Sequence, residues 1–176
     1  MGNKMNINPD KKMIKFIKSL VQRYNHEKYW KMRFEVINPL SKKPKIVRLY
    51  YLYLIKRSDA FNCASMGTDL GKGAMFKSAP TLPHGLNGII IHHNAIVGYN
   101  ATIFHQVTIA GDINRGGTAI IGDNCTIGSG AKIIGGVKIG NNVKIGANSV
   151  VINDIPDNCT VIGIPAIIVK KDGIKI

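Results

Sequence analysis

Histidine is the side chain whose ordinary pKa best suits proton transfer near neutral pH, and four of the five histidines here fall within one short stretch: His84, His92, His93 and His105, with His26 apart. His26 lies in a strongly basic stretch and reads as a surface residue. His92 and His93 directly follow Ile91 and read as solvated corner residues, while His105, in Phe104-His105-Gln106, is a candidate for a cleft between subunits. His84 stands out because it precedes the regular coils, follows Pro80-Thr81-Leu82-Pro83 and leads into a glycine-rich turn, a setting that fits a structural histidine as well as a functional one. A metal is not expected. Cys63, Cys125 and Cys159 are odd in number and widely spaced, and histidines would have to recur every 18 residues to stack on neighbouring coils of the repeat described next. No phosphate-binding or dinucleotide glycine motif is present.

The element that positions these histidines is a repeat. An aliphatic residue recurs every six positions: Ile91, Val97, Ile103 and Ile109, then Ile121, Ile127, Ile133, Ile139, Ile145 and Val151. The residue after it is Gly at 98, 122, 128, 140 and 146, and the residue two before it is small or β-branched, as at Ala95, Ala101, Cys125 and Ala131. Leu70 and Phe76 read as an earlier pair. A period of six with one buried side chain is neither helix nor ordinary strand. It describes a short strand and a corner, and three such units close a triangular coil that stacks on the next at about 4.8 Å. The predicted fold is therefore mainly β, a parallel β-helix. Between Ile109 and Ile121 the step is twelve residues, so Asp112 to Thr118 leaves the prism as a loop.

Before the repeat, apolar residues from Met13 to Tyr24 at helical spacing, with Asp10 as cap, predict one helix, and Ile46 to Ile55 predicts a second. This divides the chain into a basic helical segment (1–60), the β-helix (61–169) and a short tail (170–176). The net charge is +14, and residues 1–57 hold 15 Lys/Arg against Asp10, Glu27 and Glu35. That charge, without a recognition pattern for bases, makes nucleic acid an unlikely partner; a solvated helical face is the plainest reading, and an anionic membrane surface or polymer is the better partner if there is one. The N-terminus lacks the apolar core of a signal peptide, and the cysteines suit a reducing compartment. The expectation is a cytoplasmic protein, peripheral at the inner membrane face.

The hexapeptide run, the loop and the ending Val161-Ile162-Gly163-Ile164-Pro165-Ala166 resemble the left-handed β-helix acetyltransferases. Within them the similarity is to serine O-acetyltransferases and their short relatives that modify surface polysaccharides, over roughly residues 61–170. His84-Gly85-Leu86-Asn87-Gly88-Ile89-Ile90-Ile91, Val107-Thr108-Ile109-Ala110-Gly111 and Ile127-Gly128-Ser129-Gly130-Ala131 carry it. The resemblance implies a homotrimer with acetyl-CoA as donor, bound between neighbouring prisms, no metal, and transfer to a hydroxyl.

By the same resemblance His84 is the catalytic base. An aspartate one coil earlier orients it, and two alignments disagree on its place: one puts Cys63 there and the other Asp69, the residue chosen here, with Asp59 and Asp112 as other carboxylates. Gly111, Ser129 and Ala147 correspond to the small residues that clamp the pantetheine arm, and Lys144, with Lys170 and Lys171, is placed for phosphates. His105 and Arg115 are the expected acceptor contacts. Serine-specific members carry an aspartate directly before the base and an Arg-His pair in the loop, where this chain has Pro83 and Arg115-Gly116-Gly117. A zwitterion needs paired charges to enter a partly buried site, so the expected acceptor is a neutral sugar hydroxyl of a surface polysaccharide or its precursor, with L-serine as the alternative. Readings of other classes are a zinc carbonic anhydrase on the same prism and a non-catalytic assembly module.

Overall fold

A computed structural model describes residues 12–112 and 116–176. The proposed cap Asp10 and the loop residue Arg115 lie outside the described residues. From Met66 onward the chain winds through three parallel sheets that form the faces of a prism. The first face stacks Ile90–Ile91, Thr108–Ala110, Lys132–Ile134 and Val150–Val151; the second stacks Met75–Phe76, Ile96–Val97, Ile120–Ile121 and Lys138–Ile139. The third stacks Thr102–Ile103, Thr126–Ile127, Lys144–Ile145 and Cys159–Ile162, with Thr81 bridging to Thr102 beneath it. Every aliphatic of the six-residue period points inward and is buried. The lowest coil differs from expectation. Its inward residues are Met66, Phe76 and half-buried Leu82. Leu70 sits instead at the tip of an antiparallel hairpin formed by β1 (Thr68–Asp69) and β2 (Lys72–Gly73), which bulges from the corner between the first and second faces.

The glycines after the inward residues serve close approach rather than an unusual φ. A Cβ on Gly122 would lie 2.7 Å from the backbone of Gly140 in the next coil. The left-handed conformation is taken two residues later by Asn100, Asn124, Asn142 and Asn158. Those side chains form a ladder along the edge between the second and third faces: Asn100 donates to Asn124 (3.2 Å), Asn124 to Asn142 (3.2 Å) and Asn142 to Asn158 (2.9 Å). Asparagine tolerates this conformation and supplies both donor and acceptor, so one residue type satisfies the corner and links the coils. At the top, Ile167–Lys171 pairs antiparallel with Cys159–Ile162, so the chain's last strands extend the third face rather than forming a separate tail.

The helical segment contains α1 (Lys12–Val21), α2 (His26–Ile37) and α3 (Lys45–Phe61). The sequence reading lacks α2, whose inner side mixes Tyr29, Trp30 and Met32 with Arg33. Arg33 is fully buried and docks α2 on the lowest coil: Nε donates to Thr68 Oγ1 (3.0 Å), and Nη2 donates to the carbonyls of Met66 (2.9 Å) and Ala74 (2.7 Å). Its guanidinium also lies over the rings of Trp30 and Phe76. Burial lowers the guanidinium pKa to about 10, which leaves it charged at neutral pH. Beside it the Tyr29 hydroxyl donates to Asp59 Oδ1 (2.6 Å), tying α2 to α3.

Burial raises the Asp59 carboxyl above the usual carboxylate range, a shift that the Tyr29 bond opposes. The folded protein therefore holds this proton to higher pH than the unfolded chain. The contribution is fully present below the unfolded pKa of about 4 and is lost as pH rises through the raised value. Asp59→Asn keeps an acceptor for Tyr29 but cannot ionise. Denaturation midpoints across this range will show the wild type losing stability relative to the variant as pH rises from about 4 toward neutrality. A difference constant with pH contradicts this assignment.

Candidate functional site

His84 is set by a turn anchored at both ends. Leu82, Leu86 and Ile89 turn inward, Leu86 and Ile89 being completely buried, while Gly85 (φ +66°) and Gly88 (φ +63°) take the left-handed conformation that lets the chain double back between them. The Gly85 N–H donates to the Leu82 carbonyl (3.1 Å), the Ile89 N–H to the Leu86 carbonyl (3.0 Å) and the Gly88 N–H to the Asn62 carbonyl just past α3 (2.9 Å). The histidine is thereby exposed at the edge between the third and first faces.

The turn also aligns two histidines that an 18-residue repeat keeps apart. From Leu82 to Ile91 the chain uses nine residues where the next coil, Ile103 to Ile109, uses six. Thr81 pairs with Thr102 and the Gln106 N–H donates to the Asn87 carbonyl (2.9 Å), so residue 84 stands beneath residue 105. The rings of His84 and His105 meet edge to face with centroids 4.7 Å apart, and Phe104 lies 6.0 Å from His84. The expectation that no histidines would stack is thus corrected by the three inserted residues. His105 is half-buried, and its Nδ1 is a buried polar atom without a hydrogen-bond partner.

Above His105 the same edge carries Ser129 and then Ala147. The Gly130 N–H donates to the His105 carbonyl (2.9 Å) and the Asn148 N–H to the Ser129 carbonyl (2.8 Å). A Cβ on Gly128 would lie 2.6 Å from the Ala147 nitrogen, so the coils approach too closely here for a side chain. Lys144 is exposed on the adjoining third face. This column of His84, His105, Ser129 and Ala147 brings four of the sequence-derived residues together.

The others stand elsewhere. Gly111 follows Ile109 at the edge between the first and second faces, packed near Thr118 and His92. His92 and His93 are also at that edge, their rings stacked 4.3 Å apart. Asp69 belongs to the β1–β2 hairpin at the foot of the same edge and pairs with Lys56 (3.8 Å). Within one chain Asp69 therefore does not orient His84. The residue on the His84 edge is exposed Cys63, since Ser65 pairs with Ile90. Asp59 is nearby in sequence but is held by Tyr29.

Sequence reading missed the contribution of α1 and the α1–α2 turn. A groove of about 870 Å³ runs beside the His84 turn, with Leu82, Pro83 and Gly85 on one wall and Ser19, Gln22 and Glu27 on the other. At its floor the Tyr24 hydroxyl lies 2.7 Å from His26 Nδ1, and burial lowers the pKa of His26. No metal-binding group of three or more side chains occurs among the described residues.

Comparison with known proteins places this geometry. The bacterial transferase hexapeptide family (six repeats) matches residues 118–153. No curated protein sequence matches the chain. Among solved structures, a serine acetyltransferase from Brucella abortus is 32% identical, with a TM-score of 0.61 over 72% of this chain and 50% of its own. One from Neisseria gonorrhoeae in complex with serine is 34% identical, with a TM-score of 0.58 over 70% and 49%. The Brucella enzyme in complex with coenzyme A is 29% identical, with a TM-score of 0.66 over 82% and 54%. The chain thus spans about half the length of these relatives. It is a hexapeptide-repeat protein, a left-handed β-helix of the serine-acetyltransferase-like kind.

Proposed function

We propose that this chain is an acyltransferase that moves the acetyl group of acetyl-coenzyme A to a hydroxyl, with His84 as general base. The observation that carries the reading is the exposed His84 ring, set edge to face against His105 at one end of a column of closely packed small residues and beside a groove. The likeness to serine acetyltransferases, one of them in complex with coenzyme A, supports the donor. The imidazole accepts the hydroxyl proton as the oxygen attacks the thioester carbonyl. The C–S bond then breaks, and the imidazolium returns the proton to the leaving thiolate. A backbone N–H holds the oxyanion.

The expected donor contacts divide between two edges, Ser129 and Ala147 on one and Gly111 on the other, with the first face between them. A donor slot using both takes one edge from each of two prisms, and a closed ring of three supplies three such slots. This supports the homotrimer. The groove beside His84 is the acceptor's approach. Its lining of Ser19, Gln22 and Asn25 offers neutral hydrogen-bonding groups that suit the hydroxyls of a sugar of a surface polysaccharide or its precursor, while Lys18 and Glu27 add one charge of each sign, which a zwitterion would equally use. The second reading, L-serine as acceptor, is favoured by the structural likeness, which includes a serine complex.

His84→Ala will lower turnover about 10²- to 10⁴-fold while leaving coenzyme A binding intact, measured by thiol release and calorimetry. Unchanged turnover with a good acceptor contradicts the assignment. Alkylation of native protein will modify exposed Cys63 ahead of buried Cys125 and Cys159, and will slow turnover because Cys63 shares the His84 edge. Thiol release with L-serine against hexoses, hexosamines and surface glycan decides the acceptor. Saturable turnover with serine alone overturns the sugar reading and leaves the transferase reading standing.

A further inference from the structure

Helix α1 lies on the protein the wrong way round for a helix that merely completes a core. Its apolar residues Met13, Phe16, Ile17, Leu20 and Val21 form one continuous arc, yet Phe16 is 62%, Leu20 60% and Val21 70% exposed. The helix meets its neighbours through half-buried Ile14 at one border of the arc and through its polar side. Ser19 is half-buried, the backbone of Gln22 just past the helix accepts a hydrogen bond from Asn62, and the Gln22 side chain lies against Gly85. Burying the apolar arc is the ordinary driving force for an amphipathic helix, so an arc left outward lacks its partner.

The exposed surface does not end with α1. On α3, Ile46, Leu49, Tyr50 and Tyr53 recur at helical spacing and are also exposed, Ile46 at 73% and Tyr50 at 59%. Between the two helices lies an open hollow of about 440 Å³ where Leu20 faces Leu54 and Arg57 across Met32. Arg57 lies over the Tyr53 ring and Arg23 over that of Phe61, and both line the hollow together with Lys28. The two apolar rows therefore flank a cationic hollow, within a segment whose residues 1–57 carry 15 basic and 3 acidic side chains.

We infer that the α1–α3 surface docks on an anionic lipid bilayer, with the apolar arc of α1 in the interfacial region and the surrounding Lys and Arg against the headgroups. Charge selects this occupant. A second copy pairing this surface with its own would bring the same cations face to face, whereas an acidic headgroup layer neutralises them. An outward apolar arc with basic flanks is the pattern of interfacial helices. No helix among the described residues is long and apolar enough to cross a membrane. Docking by this surface is independent of the transfer chemistry.

The full-length protein is floated with vesicles of phosphatidylcholine alone or with about a third phosphatidylserine, at low and high salt. The expected result is binding to the acidic vesicles that falls at least about tenfold on raising salt and likewise in the double variant Ile17→Glu, Leu20→Glu. Ile17→Ser, which removes the apolar contact without adding charge, is expected to weaken it by a smaller factor. Both positions are exposed, and the circular dichroism of each variant checks that the fold is kept. Equal binding to neutral vesicles, no binding, or binding unaffected by the substitutions overturns the inference. So does a sedimentation coefficient that drops in the variants while vesicles fail to bind, which assigns the arc to a second copy.

Discussion

One aliphatic side chain in six must reach the prism axis, and this constraint fixes nearly everything else in the β-helix. Each inward residue from Ile91 to Val151 sits above its counterpart in the coil below, so the corner after it is stacked as well. Removing one such residue leaves a cavity that its neighbours, themselves locked in register, fill poorly, at a cost of about 2 to 5 kcal/mol. The corners pay for the regularity in composition: glycine where the next coil's backbone approaches, and asparagine where the chain turns left-handed. Chemistry is then confined to the three edges, because the faces present only short strands.

The candidate site is a local departure from that rule. The nine residues from Leu82 to Ile91 lengthen one corner without breaking the stack, since Leu86 fills the interior that the longer path would otherwise leave open. The surplus chain becomes the turn that presents His84, and the same surplus shifts His84 into line with His105. The helical segment closes the other side. Arg33 and the Tyr29–Asp59 pair hold α2 and α3 against the lowest coil, and α1 then lies along the His84 turn to form the groove. Burying one guanidinium with three hydrogen bonds is thus linked to the position of the groove wall.

Much of this was legible in the sequence, and the reasons for the rest are physical. The six-residue period is a direct image of burial, so Ile91 through Val151 could be assigned to the interior one by one. The lowest coil could not, because Met66 replaces the aliphatic and Leu70 offers a false match in register. Helix α2 was obscured because Arg33 occupies a buried position, and burial of a cation depends on carbonyls of Met66 and Ala74 that lie far along the chain. His84 was identified by its turn, but its stacking on His105 depends on the length of one coil, which spacing rules for a perfect repeat misjudge. Asp69 illustrates the converse: it lies at a plausible distance in sequence, yet the prism assigns it to a different edge.

The proposed donor slot joins the His84 edge of one prism to the Gly111 edge of another. Mixed oligomers test it most directly. His84→Ala disables one edge and Gly111→Trp obstructs the other, so each variant alone should be inactive; a Cβ at Gly111 already lies 3.2 Å from the Gly117 carbonyl oxygen, so circular dichroism first checks that the Trp variant keeps the fold. Unfolding and refolding the two together in equal amounts should restore about a quarter of wild-type turnover, because one slot in four then combines two intact edges in a closed ring. Activity that stays at the level of the separate variants would contradict a shared site and return the whole reaction to a single chain.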